Sequence, residues 1–448
     1  MIPWSVVILP ARAFVPDAVC CSSNFIYPNF GAKIVIIGQF FRERNMAGKK
    51  NRIVPLLRFT LCIFGKFQLM IMIELFGLSF TLAEFAGLCL FVLAFLVQLF
   101  YLFVLGRFIF GNRKKKQEEK FPSVSIIVSS RNFSEQLKEM LPVLLSQEYP
   151  DFEVVVVNDC SSDNTEWTLR ELSMQYANLK STQIHQETDF PNALAITVGI
   201  RAATKEWVLF LNPLCRISGD NWLKQYASRL KPKHEAAVGY INYTKAEGNS
   251  KRTFRYETFY SFLMSGAARL LGMPMPLNEN NMAYRREMFL GMKGFAAVLN
   301  SPFSENELFL NKISRKKNTV IHFDKITPAN YVGEAEWIDA VNFKKKQLLI
   351  KQRFSFGQRF FLFLNVFSRL LLDWSMVFVA IVSPWRFWIL GVWALVLVLE
   401  IIWLAVATKR LGEKNMLPGL LLYNFVIPFI NGYYVVNQLF TGQRRKWK

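Results

Sequence analysis

The sequence predicts an α/β domain built on a parallel sheet and flanked by transmembrane helices. Three observations lead there. Two short β-branched runs, VSIIVS (124–129) and FEVVVVN (152–158), flank a segment with apolar residues at helical spacing. Continuous apolar strands alternating with helices mark a parallel sheet covered on both faces. Long apolar runs with few charges lie on either side of this region, at 75–110 and beyond residue 360, each long enough to cross a bilayer.

In chain order, residues 1–70 form an N-terminal extension without a legible element. It holds Pro3, Pro10, Pro16, Pro28 and the pair Cys20 and Cys21. A signal peptide is not supported, for want of an apolar core followed by a small-residue cleavage site. Met46, Met70 and Met72 leave open whether the natural start lies further on. Residues 71–112 hold the first span, and GNRKKKQEEK follows it at 111–120. Lysine and arginine beside a span favour the cytoplasmic side.

The α/β domain is expected over 121–350. Leu137, Met140, Leu141, Leu144 and Leu145 give a helix over 133–147. A helix over 165–176, a strand near 182–185, a helix over 192–203 and a strand over 207–211 complete the alternation. A C-terminal membrane region is expected over 360–448. There, runs at 360–382 and 385–407 are joined through Ser383 and Pro384 as a tight hairpin. The polar Ser368, Arg369 and Asp373 in the first run are expected at the interface or paired. The last run, 417–440, contains Pro418 and Pro428 and has basic residues on both sides, which predicts a broken interfacial or re-entrant segment.

Bulk composition limits the function classes. The chain has 448 residues, 52% of them hydrophobic, and a formal charge of +21. The mean hydropathy is +0.20. Basic clusters at 113–116, 315–317, 344–346 and 444–448 suggest contact with anionic lipid on the cytoplasmic side. Nucleic acid is the other partner that such charge fits. The chain lacks a basic-aromatic recognition motif, so that reading ranks last and no nucleic-acid partner is expected. Six cysteines show no CxxC spacing and three histidines are scattered, so neither a disulfide framework nor a zinc site is indicated.

In an open α/β sheet, ligands bind beyond the carboxyl ends of the strands. Those ends read Ser129-Ser130-Arg131-Asn132, Asn158-Asp159-Cys160-Ser161-Ser162-Asp163 and Asn212-Pro213-Leu214-Cys215. Turn and capping chemistry accounts for Asp163 equally well, and Asp220 is placed to cap a helix from Asn221.

Taken together, FPSVSIIVSSRN, LLSQEYPDFEVVVVNDCSSDNT and FPNALAITVGIRAATKEWVLFLNPLC resemble the nucleotide-sugar half of family 2 glycosyltransferases. NNMAYRREMFLGMKGF (280–295) resembles the stretch that precedes that family's acceptor site, and FSENELFLNKI (303–313) resembles its acidic catalytic segment. The resemblance implies a GT-A fold, Rossmann-like, that binds a nucleoside-diphosphate sugar. It also implies transfer of the sugar to a glycan or lipid-linked acceptor. Ser129, Arg131, Asn132, Asp159, Asp163, Asn192 and Asn212 then fall in the donor site, and Glu305 and Glu307 are the candidates for the base. Such transfer needs the leaving diphosphate neutralised, usually by Mg²⁺ or Mn²⁺, and a base for the acceptor hydroxyl.

The motifs depart from the family pattern at five places. Its DxD is Asn212-Pro213-Leu214, its paired acids are Asn158-Asp159, and its lysine before the ALN-like stretch is Pro191. Asn306 stands where its base does, and QxxRW has become a run with Gln347 and Arg353 out of register. The metal ligands are thus unassigned, and Mg²⁺ or Mn²⁺ would lack its DxD. Two readings follow: an inverting transferase with a rebuilt site, in which Arg216 or a neighbouring cation neutralises diphosphate, or a catalytically inactive scaffold that binds a nucleotide-sugar or polysaccharide. The charge pattern places the chain in the cell inner membrane, multi-pass, with its main domain in the cytoplasm.

Overall fold

The chain's computed structural model describes residues 7–10, 32–35, 58–64, 68–75, 78–111, 121–188, 191–273, 275, 280–297 and 305–441. The basic runs expected at 113–116 and 444–448, together with Cys20 and Cys21, lie outside them. Packing divides the chain into two units, residues 1–98 with 367–396 and residues 99–366 with 397–448.

The first unit opens with an antiparallel pair, β1 (Val7–Pro10) and β2 (Ala32–Val35). A three-stranded antiparallel sheet follows: β3 (Arg58–Phe64), β4 (Gln68–Leu75) and β5 (Leu78–Thr81). The first long helix, α1 (Leu82–Gly111), therefore starts at residue 82 rather than 75. Hydropathy alone does not distinguish an apolar strand from the first turns of an apolar helix. Within this unit the polar residues of the apolar helices are paired. Gln98 donates to Ser368 Oγ at 2.8 Å, and Arg369 and Trp393 reach Asp373 at 3.2 and 2.9 Å.

The second unit holds the α/β domain. Its chain order begins β6 (Val124–Ser130), α2 (Ser134–Leu145), β7 (Phe152–Asp159), α3 (Thr165–Gln175), β8 (Leu179–Ile184), α4 (Pro191–Ala202) and β9 (Trp207–Leu211). Next come β10 (Cys215–Arg216), α5 (Trp222–Ala227), β11 (Ala236–Val238), β12 (Ile241–Asn242), α6 (Lys251–Leu270), β13 (Met282–Arg285) and α7 (Arg286–Gly291). The domain ends with α8 (Glu305–Ile313), β14 (Thr319–Ile321), β15 (Ala329–Tyr331) and α9 (Trp337–Gln352).

Seven strands form one sheet in the order β14-β11-β13-β9-β6-β7-β8. β6 pairs in parallel with both β7 and β9, and β7 with β8, as the alternation predicts. β13 runs antiparallel to β9 and β11, a reversal that chain order alone does not announce. The apolar runs are continuous because both faces are buried. Ile126, Val128, Val154 and Val156 face one core with α2 and α3, while Ile127 and Val155 face the other with α4 and α8. Gly199 lets α4 lie close on this second face: a Cβ there would stand 2.7 Å from Ile127 Cγ2.

A small sheet, β10-β15-β12, closes one end of the large one. At this junction Asn281 adopts φ +57, donates through Nδ2 to Tyr240 O and Thr327 O at 2.8 and 3.0 Å, and is fully buried. Gly239 packs directly on it, and a Cβ there would lie 2.4 Å from Asn281 Nδ2. Gly239→Ala is expected to lower stability by about 1–3 kcal/mol, since neither partner has room to move. Thermal unfolding of the variant beside wild type checks this, and an unchanged midpoint would refute it.

Among the described residues three helices are long and apolar enough to cross a membrane: α1, α10 (Phe356–Val382) and α11 (Arg386–Leu411). The turn from Ser383 to Trp385 joins the last two, as the tight hairpin requires. The last element, α12 (Leu417–Thr441), passes through Pro428 as one continuous helix. The predicted break is absent because Pro428 removes a single ladder bond, which a helix packed through Leu420 and Ile427 tolerates.

Several charges expected at the surface are turned inward. Lys344 pairs with Glu257, and Lys346 Nζ lies 2.9 Å from Glu307 Oε1. The cluster 344–346 is therefore not a lipid-facing patch: α9 faces buried carboxylates on α6 and α8. Asp220 does not cap α5, whose N-cap residue is Asn221 without a side-chain bond; instead its carbonyl accepts Glu148 N at 2.9 Å.

Candidate functional site

The parallel strands β6, β7 and β9 end side by side, which brings the three polar turns to one edge of the sheet. Ser129, opposite Val157 in register, is half-buried. Beyond it Asn132 adopts φ +60, a left-handed conformation that asparagine tolerates. Its N–H donates to Ser161 Oγ at 3.0 Å, and its Oδ1 accepts Ser162 N at 2.8 Å. Asp163 completes the tie: Oδ2 accepts Ser134 N at 3.0 Å and Oδ1 accepts Thr165 N at 3.1 Å. The turns after β6 and β7 are thus fastened together.

These bonds settle which side chains are engaged. Burial pushes the Asp163 carboxyl up, but the hydrogen bonds from Thr165 and Ser134 outweigh it and hold the group below the usual carboxylate range. Asn132 and Asp163 therefore shape the edge. Asp159 differs. It is buried at the end of β7, and among the described residues no hydrogen bond reaches its carboxylate. Burial raises its pKa, Arg131 opposes this and Glu187 adds to it, with a net upward shift. Arg131 is held in an ion pair by Glu187, a residue the motif reading passed over because it lies 56 positions along the chain.

At the end of β9 the turn closes on itself. Asn212 Oδ1 accepts Leu214 N at 2.9 Å, and Asn212 O accepts Cys215 N at 2.8 Å. Arg216 clasps the same turn, donating to Pro213 O at 2.8 Å and to Glu139 at 2.7 Å. It is spoken for by the protein itself. Burial pushes the Cys215 thiol up to about 12, so it stays neutral. This donor set does not fit a divalent cation: the one side-chain oxygen of Asn212-Pro213-Leu214 is occupied by backbone. Among the described residues no group of three His, Cys, Asp or Glu side chains is close enough to hold a metal.

Asn192 sits in the first turn of α4, the helix that packs across β6 and β7. Glu305 and Glu307 open α8, both buried, with Glu307 facing Lys346. Between them Asn306 Oδ1 accepts the Tyr284 hydroxyl at 3.0 Å, which anchors the start of α8 to β13. Lys346 and Asn281 are the further residues that sequence reading missed. The doubled asparagine before β13 was the available signal for the second, because Asn favours positive φ.

With this geometry in place, the comparisons with known proteins agree. The model of glycosyl transferase family 2 matches residues 125–291. A poly-beta-1,6-N-acetyl-D-glucosamine synthase of Staphylococcus epidermidis is 31% identical over 106 residues, 24% of this chain and 25% of that protein. The amylovoran biosynthesis glycosyltransferase AmsB of Erwinia amylovora is 32% identical over 174 residues, 39% of this chain and 52% of that protein. The chain thus spans between a quarter and about half of these curated relatives. Among solved structures, the mannosyltransferase PcManGT of Pyrobaculum calidifontis, in complex with GDP-Man and Mn²⁺, aligns with a TM-score of 0.50 at 16% identity. The alignment covers 79% of this chain and 99% of that one, a likeness of fold. Residues 125–291 thus match glycosyl transferase family 2, and the domain that holds them shares the GT-A-like fold of its solved neighbour.

Proposed function

We propose that the chain is a membrane-anchored, inverting glycosyltransferase that takes a nucleoside-diphosphate sugar at the edge formed by β6, β7 and β9. Its acceptor is the hydroxyl of a glycan or lipid-linked saccharide. The carrying observation is Asp159: the acids and amides around it are bound into the turns, and its carboxylate is left for a ligand. A buried acceptor of this kind suits the N–H or hydroxyl of a nucleoside. In the reaction the acceptor oxygen attacks the anomeric carbon, the bond from that carbon to the diphosphate breaks, and the hydroxyl proton passes to a base. Glu305 and Glu307 are the carboxylates offered, and Arg131 is the cation closest in the chain to the strand edge. Anchoring is through α1, α10 and α11, with the α/β domain on the cytoplasmic side against anionic lipid.

The second reading, a binding scaffold without turnover, is favoured by one observation. The Asn212 turn is closed by its own backbone, and no metal-based neutralisation of the diphosphate is built there.

Calorimetry with UDP- and GDP-sugars, with and without Mn²⁺, beside an assay of nucleoside diphosphate release, separates these. The expected result is binding that Mn²⁺ leaves unchanged and that Asp159→Ala weakens roughly tenfold or more, the worth of a hydrogen bond to a charged group. Turnover identifies the enzyme; binding without turnover identifies the scaffold. Donor affinity indifferent to Asp159→Ala would sink the assignment of this edge.

A further inference from the structure

Where α9 gives way to α10 the chain makes a fixed elbow. Phe354 is buried at its centre. Ser355 N donates to Gln358 Oε1 at 2.9 Å, and Gln358 Nε2 donates to Asn311 Oδ1 of α8 at 2.9 Å. Met273 Sδ packs on Gly357, 3.1 Å from where a Cβ would lie. The elbow is therefore held by side chains on three sides before anything binds to it.

Two arginines project from this frame. Arg353 and Arg359 are both exposed, and among the described residues no carboxylate pairs with either. Lys351 belongs elsewhere: it is half-buried and faces Glu257, with burial lowering it to about 8 against that carboxylate's pull. The first turns of α10 then present Phe356, Phe360 and Phe363, which are 76%, 50% and 61% exposed. Positions 356, 359, 360 and 363 share one face of a helix. Arg359 thus lies within the phenylalanine stripe, at its start. The opposite face is occupied by protein, since Tyr101 Oη donates to Phe361 O at 2.6 Å and their rings lie 4.9 Å apart.

An exposed aromatic stripe on a helix that can cross a bilayer calls for hydrocarbon. Unpaired arginines at its end call for an anion at headgroup depth. We propose that this elbow binds one anionic phospholipid of the surrounding bilayer, its headgroup between Arg353 and Arg359 and an acyl chain along Phe356, Phe360 and Phe363. This deepens the membrane reading given above and rests on α10 being a span. The charge is local, the frame is rigid, and the apolar stripe is continuous with the span itself. A generic basic surface would have only the first of these.

The test uses the full chain, purified in detergent and titrated with phosphatidylglycerol or phosphatidylcholine of the same acyl chains, with bound lipid read by native mass spectrometry. Wild type should retain phosphatidylglycerol over phosphatidylcholine. R353Q/R359Q should lose roughly 25-fold in phosphatidylglycerol affinity, about fivefold for each arginine near an anionic surface. R353K/R359K, which keeps the charge, should retain most of it and shows that the site survives substitution. Equal retention of the two lipids, or no effect of R353Q/R359Q, overturns the proposal. Displacement by millimolar inorganic phosphate would make the ligand a free anion and overturn the lipid as its source. The span is tested apart from this by alkaline carbonate extraction of membranes carrying the chain. Release into the supernatant would defeat the membrane reading itself, whatever the lipid titration shows.

Discussion

Glu153→Gln is expected to destabilise the α/β domain by about 3 kcal/mol at neutral pH. Glu153 is buried in β7, near the end of the strand opposite the polar turns. Its Oε1 accepts Ser125 Oγ of β6 and Thr204 N, each at 2.6 Å, and its Oε2 lies 2.6 Å from Lys180 Nζ of β8. One carboxylate thus joins three neighbouring strands to the residue that leads into a fourth. Burial pushes its pKa up, but Lys180, Ser125 and Thr204 outweigh burial and bring it from 4.5 down to about 2. A depressed folded pKa contributes stability that is present above the unfolded value, here 4.5, and disappears as pH falls toward 2. Loss of a buried carboxylate held by an ion pair and two donors costs about 3 kcal/mol. The amide of glutamine would also direct donors at donors. Thermal unfolding in detergent at pH 7 and near pH 3 checks both parts: a large deficit at pH 7 that narrows at pH 3. Equal midpoints at pH 7 would show that Lys180 and the hydroxyls do not read the charge.

Arg255→Met should be at least as damaging, by about 3–5 kcal/mol, because it leaves Glu413 buried without its cation. The Glu413 side chain is fully buried; it accepts Arg255 Nη2 and Tyr240 Oη, both at 2.7 Å, and Thr244 Oγ1 at 3.0 Å. Arg255 also donates to Lys414 O. Adding Glu413→Leu to Arg255→Met should recover part of the loss, since an apolar pair replaces an ion pair with little net change. Tyr240 and Thr244 would still lack their acceptor, at about 1–3 kcal/mol each, so recovery stays incomplete. Urea titration of the two variants distinguishes the cases. A double variant no better than Arg255→Met would mean that the carboxylate is needed for its hydroxyl partners rather than for its charge.

Most of the sheet was legible because burial on both faces leaves a simple mark. Val154–Val157 can hardly be anything but an inner strand, and Leu137, Met140, Leu141, Leu144 and Leu145 at helical spacing supply its covering helix. The direction of β13 was not legible, since MAYR reads the same in either sense and only its partners β9 and β11 fix it. The inward turn of Lys344 and Lys346 escaped for a related reason. Three successive lysines look like a surface patch until Glu257 and Glu307, 87 and 39 positions earlier, are seen to lie beneath them. At the edge formed by β6, β7 and β9 the turn residues could be named in advance because strand ends are local. Their division of labour could not, since the bonds that engage Asn132 and Asp163 but leave Asp159 open cross between turns about thirty residues apart.

The bond between Arg255 and Glu413 spans 158 residues. At about 5–20 residues per second, Arg255 leaves the ribosome roughly 8–30 s before the carboxylate that neutralises it. In between, the chain must produce α9 and the whole of the α10–α11 hairpin. The α/β domain is therefore not finished when its own sequence ends. Its buried ion pair is completed only after α10 and α11 have been made, so synthesis of the hairpin and completion of the domain become successive stages of one biosynthetic event. A chain arrested before residue 413 would carry Arg255 without the carboxylate that neutralises it.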